Sequence, residues 1–196
     1  MNYRIPILAV AAFAAPSLNS QTAVGTLPPP QLTVCQVLSA ARDYDGHMVT
    51  ITGKVQGTDE GVWLSSEDCP GAYTVADHVW PSAIALVLPS LPAPLRLHPV
   101  DFEFDWNSRR VAEAKFKGLR KTIPESCMAF TYTGMFETRL DWDKARIPYA
   151  NGTWRYAGFG HLGDAPARLV LRSEDNVSAM PNCDSKGRAP VGQAKK

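Results

Sequence analysis

The chain has 196 residues, of which 20% are charged, and its formal net charge is +1. So small a net charge gives no strong electrostatic attraction to nucleic acid or to anionic membrane surfaces, which argues against a nucleic-acid-binding function. Its length suits one domain behind a short leader, because domains commonly hold about 100–200 residues.

The first twenty residues follow the pattern of a cleavable secretory signal. Arg4 precedes the apolar residues 5–15, and small or polar residues follow at positions 16–20. Such a leader directs a chain out of the cytosol, so we expect a secreted or periplasmic protein that is cleaved between residues 14 and 23. The apolar run is too short for a transmembrane helix, which needs about 20 apolar residues.

The rest of the chain divides into a linker, one domain and a tail. Residues 21–34 are rich in proline and are predicted to be a linker, and residues 35–183 are predicted to form a single domain. Residues 184–196 are basic, poor in apolar side chains and rich in glycine and proline, which is typical of a disordered tail. We expect the mature protein to be a monomer.

Hydrophobic alternation predicts a hairpin at the start of the domain. Val49, Ile51 and Val55 lie on one side of a strand over residues 47–56, and a glycine-rich turn leads to a return strand at residues 61–65. Gly53 lies on the apolar side, where a missing side chain permits a bulge or a sharp bend. One or two helical turns are predicted just before this hairpin, over residues 36–44.

A third strand, an edge strand and a helix are predicted next. Residues 79–88 carry the third strand, and residues 100–106 alternate aromatic with acidic side chains, which predicts an edge strand. A helix is predicted over residues 109–122, with Asn107 or Ser108 as its cap. Its apolar stripe consists of Ala112, Phe116, Leu119 and Ile123.

Two further strands complete a mainly β pattern. They are predicted over residues 127–139 and 167–173, and in the second of them Arg168 and Arg172 alternate with apolar residues and so are predicted to face away from the core. One helix between the third and fourth strands of five is the order of the OB-fold, a small Greek-key barrel. We therefore predict an OB-fold-like five-stranded barrel with an extra edge strand. Another five- or six-stranded barrel or a sandwich is the alternative.

Four cysteines flank the two predicted hairpins. Because the start of one strand in a hairpin lies beside the end of the next, the strand order predicts the pairs Cys35–Cys69 and Cys127–Cys183. An exported protein matures where disulfides form. There is no C-x-x-C pair and the histidines have no ligand spacing, so no metal site is predicted.

The segment between the last two strands is the predicted ligand site. Aromatic residues, one arginine and one histidine crowd together there: Trp154, Arg155, Tyr156, Phe159 and His161. The loops beside this part of an OB-fold flank its usual binding face, and such side chains can stack on a planar or sugar ligand or anchor a protein. Alternatively, the aromatic side chains fold back and cover the end of the barrel.

The same segment contains a glycine pattern with a different meaning in other folds. Gly158, Gly160 and Gly163 match G-x-G-x-x-G, but the following residues predict a strand instead of the helix that dinucleotide binding requires. We therefore expect no cofactor.

Two segments of the sequence carry a resemblance to known proteins. YDGHMVTITGKV (residues 44–55) and GFGHLGDAPARLVL (residues 158–171) resemble segments of small exported bacterial proteins that have OB-like barrels and no assigned activity. The resemblance implies a periplasmic or extracellular bacterial setting, and it transfers no catalytic residues.

These patterns favour a binding function over catalysis. We expect a non-enzymatic exported barrel that binds a protein or a small ligand through the predicted site. A secreted, nuclease-like hydrolase is the first alternative, with candidate residues Asp59, Glu60, Arg155 and His161. An inhibitor of an exported enzyme on the same barrel is the second.

Overall fold

A computed structural model describes residues 27–59, 61–67, 69, 73–75, 78–90, 97–141, 146–148, 151–160, 163–181 and 183. The predicted signal segment and the predicted basic tail lie outside the described residues. The described part is mainly β. None of its helices is both long and apolar enough to cross a bilayer.

The first described elements are one short strand and two short helices. Strand β1 (Gln31–Thr33) lies inside the stretch that the sequence assigns to a linker, and it is followed by helices α1 (Val34–Ser39) and α2 (Ala41–Tyr44). Thr33 caps α1, because its hydroxyl accepts from the Gln36 N–H while the Gln36 side chain accepts from the Thr33 N–H. This reciprocal cap explains why the helix begins two residues earlier than predicted.

The predicted hairpin is formed by strands β2 (Met48–Thr58) and β3 (Gly61–Ser65). Val49 and Ile51 are fully buried, as their alternation indicates. Gly53 lies where β2 exchanges one neighbouring strand for another. A Cβ at this position would meet the Val34 side chain at 2.8 Å and the Ser65 carbonyl at 2.9 Å, so the close approach of the two strands requires glycine.

Three more long strands complete the main sheet: β6 (Ala83–Val87), β7 (Met128–Thr138) and β10 (Ala167–Ala179). The chain also forms two small hairpins: β4 (Tyr73–Val75) with β5 (His78–Trp80), between β3 and β6, and β8 (Arg146–Pro148) with β9 (Trp154–Tyr156), between β7 and β10. The order in the main sheet is β1-β2-β3-β6-β10-β7. Because β7 also pairs with β2, the sheet returns on itself.

The pairing directions are mixed. Strand β1 runs parallel to β2 and β10 runs parallel to β6, whereas the remaining pairs of the main sheet are antiparallel. At the closure, Thr50 and Thr52 of β2 exchange hydroxyl hydrogen bonds with Thr133 and Thr131 of β7 at 2.6 and 2.9 Å. These pairs add side-chain contacts to the backbone ladder.

The last strand is longer than predicted. Alternation of apolar side chains stops near Ser173, but β10 continues to Ala179. Its register with β7 shifts between Leu171 and Ser173 and again between Glu174 and Asn176. Each irregularity inserts residues that break the period-two pattern, although the strand itself continues. Hydrophobic alternation therefore predicts the end of the strand too early.

The predicted edge strand over residues 100–106 is wrong. Residues 101–105 form no regular secondary structure, and helix α3 (Trp106–Leu119) begins at Trp106. The Asp105 carboxylate accepts hydrogen bonds from the backbone N–H groups of Asn107 and Ser108, so Asp105 is the cap and neither predicted residue is. The extra strand at the edge of the sheet is β1 instead.

The core lies inside the curved sheet, and α3 covers one part of it. Phe136, Ile51, Leu64, Ile84 and Leu169 have no exposed surface. The predicted stripe of α3 is confirmed, because Ala112, Phe116 and Leu119, with Ile123 beyond the helix, form one apolar cluster with Met128 and Val177.

Two disulfides join the segments that flank the hairpins. They are Cys35–Cys69, with Cα atoms 5.1 Å apart, and Cys127–Cys183, with Cα atoms 5.5 Å apart, which are the pairs that the strand order predicts. In the chain-entropy description, loops of this length each contribute about 4 kcal/mol to the free energy of unfolding.

Candidate functional site

One end of the main sheet gathers charged and polar side chains. Strand β7 ends there at Thr138 and strand β10 begins there at Ala167. We call this region the β7–β10 end. It also includes α2, the turn at Asp45 and Gly46, and the segment around His98, which hydrogen bonds connect to the end of β7.

A buried ion pair lies at the centre of the β7–β10 end. The Arg168 Nε donates to Glu137 Oε2 at 2.5 Å, and the two residues face each other across the antiparallel strands. Glu137 has no exposed surface and Arg168 is 6% exposed. The second carboxylate oxygen, Oε1, accepts from the backbone N–H of His98 at 3.0 Å. Each charge therefore has a partner that offsets its removal from water.

The structure adds burial to the prediction for Arg168. Alternation correctly puts it on the face opposite Leu169, but that face is covered at this point. Arg168 stands in register with Ala85 of β6, which in turn faces Trp63 of β3. Phe159 and Ala165 of the loop after β7 pack on this row, so the loop buries the outer face of the sheet.

Asp45 ties the segment at His98 to the end of β7. One carboxylate oxygen accepts from the Thr138 N–H at 2.9 Å, and the other lies 3.0 Å from His98 Nε2. Gly46 has φ +75°, and a Cβ there would meet the His98 ring at 3.1 Å. Glycine at this turn therefore provides both the left-handed backbone and the room that the imidazole needs.

Arg139 follows β7 directly and is half-buried. Its Nε donates to the Ala157 carbonyl at 2.6 Å, and its guanidinium lies 5.3 Å from the centre of the Phe159 ring. The Arg168 guanidinium lies 5.0 Å from the same centre. Burial, and then the positive charge of Arg168, lower the pKa of Arg139. The loop therefore holds two cations around one aromatic ring.

Two cavities adjoin Arg139. The larger, which we call the α2 cavity, has a volume of about 500 Å³ and lies between α1–α2, β4 and the end of β7; its lining residues are Leu38, Ser39, Ala40, Ala41, Arg42, Asp43, Tyr73, Thr74, Thr138 and Arg139. The smaller, which we call the His98 cavity, measures about 300 Å³ and is lined by Asp45, Leu97, His98, Thr138, Arg139, Leu140 and Asp141. Thr138 and Arg139 line both.

A third cavity lies beside the start of α3. It has a volume of about 360 Å³ and is lined by Leu88, Pro89, Ser90, Phe102, Glu103, Phe104 and Trp106. The Trp106 side chain is 56% exposed, and the guanidinium of Arg109 lies 5.8 Å from its ring centre. This cavity shares no lining residue with the other two.

The described part of the chain includes four of the five predicted site residues. Trp154, Arg155 and Tyr156 form β9, paired with β8, and their side chains lie outside the described part. His161 also lies outside the described residues. Phe159 is 5% exposed and packs against the ion-pair row, which matches the alternative in which a loop aromatic covers the barrel.

For the carboxylates proposed for hydrolysis, the described part of the chain shows no contact with a candidate base. Asp59 lies in the turn after β2, while Glu60 and His161 lie outside the described residues. The glycine pattern closes a loop, since the Gly158 N–H donates to the Gly163 carbonyl and Phe159 bridges to Ala165 just before β10. A strand follows it, as the sequence predicts. Within the described ranges, no group of three or more His, Cys, Asp or Glu side chains is arranged to hold a metal ion.

The sequence does not identify Asp45, His98, Glu137 or Arg139 as functional candidates. A signal was present for the ion pair, because Glu137 and Arg168 carry opposite charges in two strands that are predicted to be neighbours. No periodic pattern marks His98, which follows a proline-rich stretch and joins the cluster only through tertiary contacts.

Comparisons of the chain with protein-family models, with curated protein sequences and with solved structures gave no match.

Proposed function

We propose that the chain is an exported, disulfide-bonded OB-like barrel that binds a small molecule or a protein at its β7–β10 end and has no catalytic activity of its own. The observation that carries this proposal is the pair of cavities that meet at Arg139. Concave sites lined by apolar walls and a few convergent polar groups are the usual ligand sites of proteins.

The strand connectivity supports an OB-fold. Omitting β1 and the two small hairpins, the pairing runs β2-β3-β6-β10-β7 and back to β2. The third and fifth of these strands in chain order, β6 and β10, run parallel, and α3 lies between the third and the fourth. In such barrels the loop between the fourth and fifth strands flanks the binding face. Here that loop begins at Arg139.

Export is supported by the leader pattern together with the cysteines. All four cysteines are paired in two disulfides, and disulfides persist mainly in extracellular and periplasmic compartments. A small ligand or partner in one of those compartments is therefore the proposed target.

The buried charges at the β7–β10 end are organised for structure. Glu137 and Arg168 are buried against each other, and Asp45 accepts from a backbone N–H while holding His98. Because Glu137 has no exposed surface, its carboxylate cannot contact a substrate. Trp154, Arg155, Tyr156 and His161 remain proposed ligand contacts on the strength of the sequence, and Phe159 is proposed to support the loop from below.

An NMR titration tests the proposal. The ¹⁵N-labelled mature chain, with both disulfides intact, is titrated with a set of small carboxylates, phosphates, sugars and neutral aromatic compounds. We expect amide shifts for at least one class at Thr138, Arg139, Ala157 and Gly160, with the amides of α3 unchanged. Shifts confined to other regions, or no shifts with any class, would overturn the proposed site.

Two variants separate ligand contact from packing. Trp154→Ala is expected to weaken binding of whichever compound shifts the site and to leave the melting temperature unchanged. Phe159→Ala is expected to lower the melting temperature, because it uncovers the ion pair of Arg168 and Glu137. If both variants bind as well as the original chain, the loop is not part of the site.

The Asp45–His98 contact favours hydrolysis as a second candidate function. A histidine held by a carboxylate beside an open cavity is the arrangement that a general base requires. Assays with p-nitrophenyl acetate, bis(p-nitrophenyl) phosphate and single-stranded DNA, with and without Mg²⁺, test it. Turnover that is lost in His98→Asn and kept in His78→Asn would establish this candidate. Absence of turnover in the original chain would eliminate it.

A further inference from the structure

We infer that the α2 cavity binds a small organic anion, a carboxylate or a phosphate, through the guanidinium groups of Arg42 and Arg139. This inference rests on the proposed binding function and names its ligand class. Guanidinium groups recognise both anions through paired N–H donors, so one site chemistry serves either.

The lining of the α2 cavity carries the argument. Arg42 and Arg139 are its two cations, Asp43 is its one acid, and its hydroxyl-bearing residues are Ser39, Tyr73, Thr74 and Thr138. The Ser39 and Thr138 hydroxyl groups donate to the Gln36 and Pro166 carbonyls, so the two guanidinium groups are the main donors toward a ligand. The remaining walls are mainly the apolar side chains of α1 and α2. The cavity therefore has one excess positive charge, several hydrogen-bonding groups and a partly apolar wall.

Arg139 is the less solvated of the two cations. The described groups around its guanidinium are the Ala157 carbonyl, the Phe159 ring and the second cation, Arg168. None of these is a carboxylate. The charge of Arg168 is already balanced by Glu137. A half-buried guanidinium in this setting gains most from an anion that enters the cavity beside it, because a charge-assisted hydrogen bond replaces lost hydration.

Tyr73 adds a neutral hydroxyl group that does not repel an anion. Burial raises the pKa of its phenol, while Thr138 and Arg42 act in the opposite direction. The phenol is therefore protonated at neutral pH. Arg42 lies close enough to Tyr73 for its charge to act on the phenol, so a cation and a neutral hydroxyl group line the same cavity.

The volume of the α2 cavity limits the size of the ligand. A volume of about 500 Å³ is in the range of small-molecule sites, and the side chain of Arg42 is exposed at the rim. A ligand with a compact anionic group and a short organic body fits this combination. Asp43 at the rim disfavours ligands with a second anionic group on that side.

Isothermal titration calorimetry with defined probes tests the inference. The full mature chain is titrated with acetate, malonate and succinate, with inorganic phosphate and methylphosphonate, and with acetamide and malonamide as neutral analogues. We expect binding of at least one anion series and none of the amides. The series that binds more tightly identifies the source as carboxylate or phosphate. Affinity should fall as NaCl is raised, because chloride screens both guanidinium groups.

Charge-matched variants locate the site. Arg42→Gln and Arg139→Gln should each raise the dissociation constant about tenfold or more, since each removes a hydrogen bond to a charged group. Arg110→Gln removes the same charge from the exposed face of α3 and should change it less than twofold. Because Arg42 is exposed, its variant is expected to fold even if Arg139→Gln does not.

The outcomes separate this inference from the function on which it rests. Equal affinity losses in Arg42→Gln and Arg110→Gln, or equal binding of amides and anions, would refute the anion site. If neutral compounds still shift Arg139 and Ala157 by NMR in that case, the proposed binding function stands without it. If no compound of any class binds at the β7–β10 end, both fail.

Discussion

Glu137 is fully buried, yet it carries a carboxylate, and the described groups that compensate this charge belong to other segments. Arg168 donates from the neighbouring strand, and the His98 backbone donates from a distant loop. A buried pair of this kind adds little stability over apolar residues of the same size, but loss of one partner leaves an uncompensated charge. The pair therefore makes the packing of three segments interdependent.

We expect Glu137→Gln to lower the free energy of unfolding by about 3–5 kcal/mol, because the buried ion pair with Arg168 loses its carboxylate. Chemical denaturation of the disulfide-intact chain measures this. Lys54→Gln is the control, since its pair with Glu67 at 3.3 Å is largely exposed on the Glu67 side and contributes about 1 kcal/mol or less. A loss for Glu137→Gln as small as that of the control would contradict the argument.

Glu174 gives a pH-dependent prediction. Burial raises the pKa of its carboxyl group, opposed by Arg109 and reinforced by Glu113. The folded state then holds the proton more tightly than the unfolded state, so stability is greatest below the ordinary glutamate pKa and falls as pH rises through the raised value. We expect Glu174→Gln to have a higher urea midpoint than the original chain at neutral pH.

This difference should disappear at about pH 4 and below, where the original side chain is itself becoming neutral in both states. The exposed Glu103 is the matched control, and Glu103→Gln should leave the midpoint unchanged at both pH values. A destabilised Glu174→Gln at neutral pH would show that the charged carboxylate is favoured in the fold.

Residues of the candidate site were only partly predictable from the sequence. Alternation assigns Arg168 to the outer face correctly, but it cannot tell that the loop carrying Phe159 covers that face. Asp45 and His98 lie 53 positions apart in the chain and meet only after folding. Periodic patterns report on which face a side chain lies, whereas burial of that face depends on chain segments without a pattern.

Helix α3 shows how a local pattern can be assigned to the wrong element. The alternation of Phe102, Phe104 and Trp106 with acids predicts a strand, but Asp105 ends the extended segment by capping the helix. The Asp105 N–H also donates to the Arg172 carbonyl at 2.7 Å, which fixes the start of α3 against β10. The apolar stripe of the helix was predictable because it repeats at the helical period over three turns.

The cap can be tested by comparing two neighbouring residues. Asp105→Ala should lower the free energy of unfolding by about 1 kcal/mol, because two backbone N–H groups lose their acceptor. Asn107→Ala, at one of the positions predicted from the sequence as the cap, should cost only a few tenths of a kcal/mol, since its side chain bonds to the exposed Arg110. Urea denaturation measures both. A larger loss of unfolding free energy for Asn107→Ala than for Asp105→Ala would show that Asn107 is the cap instead.

The arrangement of strands was more predictable than the site. The order of strands and helix, and the neighbours expected in the two hairpins, place the cysteines as Cys35–Cys69 and Cys127–Cys183, and the structure has those pairs. The sheet closes between β2 and β7 through residues about 80 positions apart in the chain. Apart from small side chains, no local sequence pattern indicates this pairing. The parallel strand β1 was not predicted because it has only three residues, too few for hydrophobic alternation to be detected.

Closure of the sheet depends on one glycine in β7. Gly134 faces Val49 of β2 on one side and Leu171 of β10 on the other. A Cβ at Gly134 would lie against the Val170 carbonyl oxygen and 3.0 Å from the Leu169 side chain, so the three strands approach too closely for any side chain. The backbone of β10 cannot retreat without breaking its pairing with β6.

We therefore expect Gly134→Ala to lower the free energy of unfolding by about 3 kcal/mol or more, the upper end of the cost of core overpacking. Gly118→Ala is the opposite case, because nothing lies within 4 Å of a Cβ added to that exposed position of α3. Alanine there should stabilise the fold by about 0.5–1 kcal/mol through its greater helix propensity. Thermal and urea unfolding of both variants measure the contrast. If Gly134→Ala has the same melting temperature as the original chain, then β2, β7 and β10 do not lie as close together as the closed sheet requires.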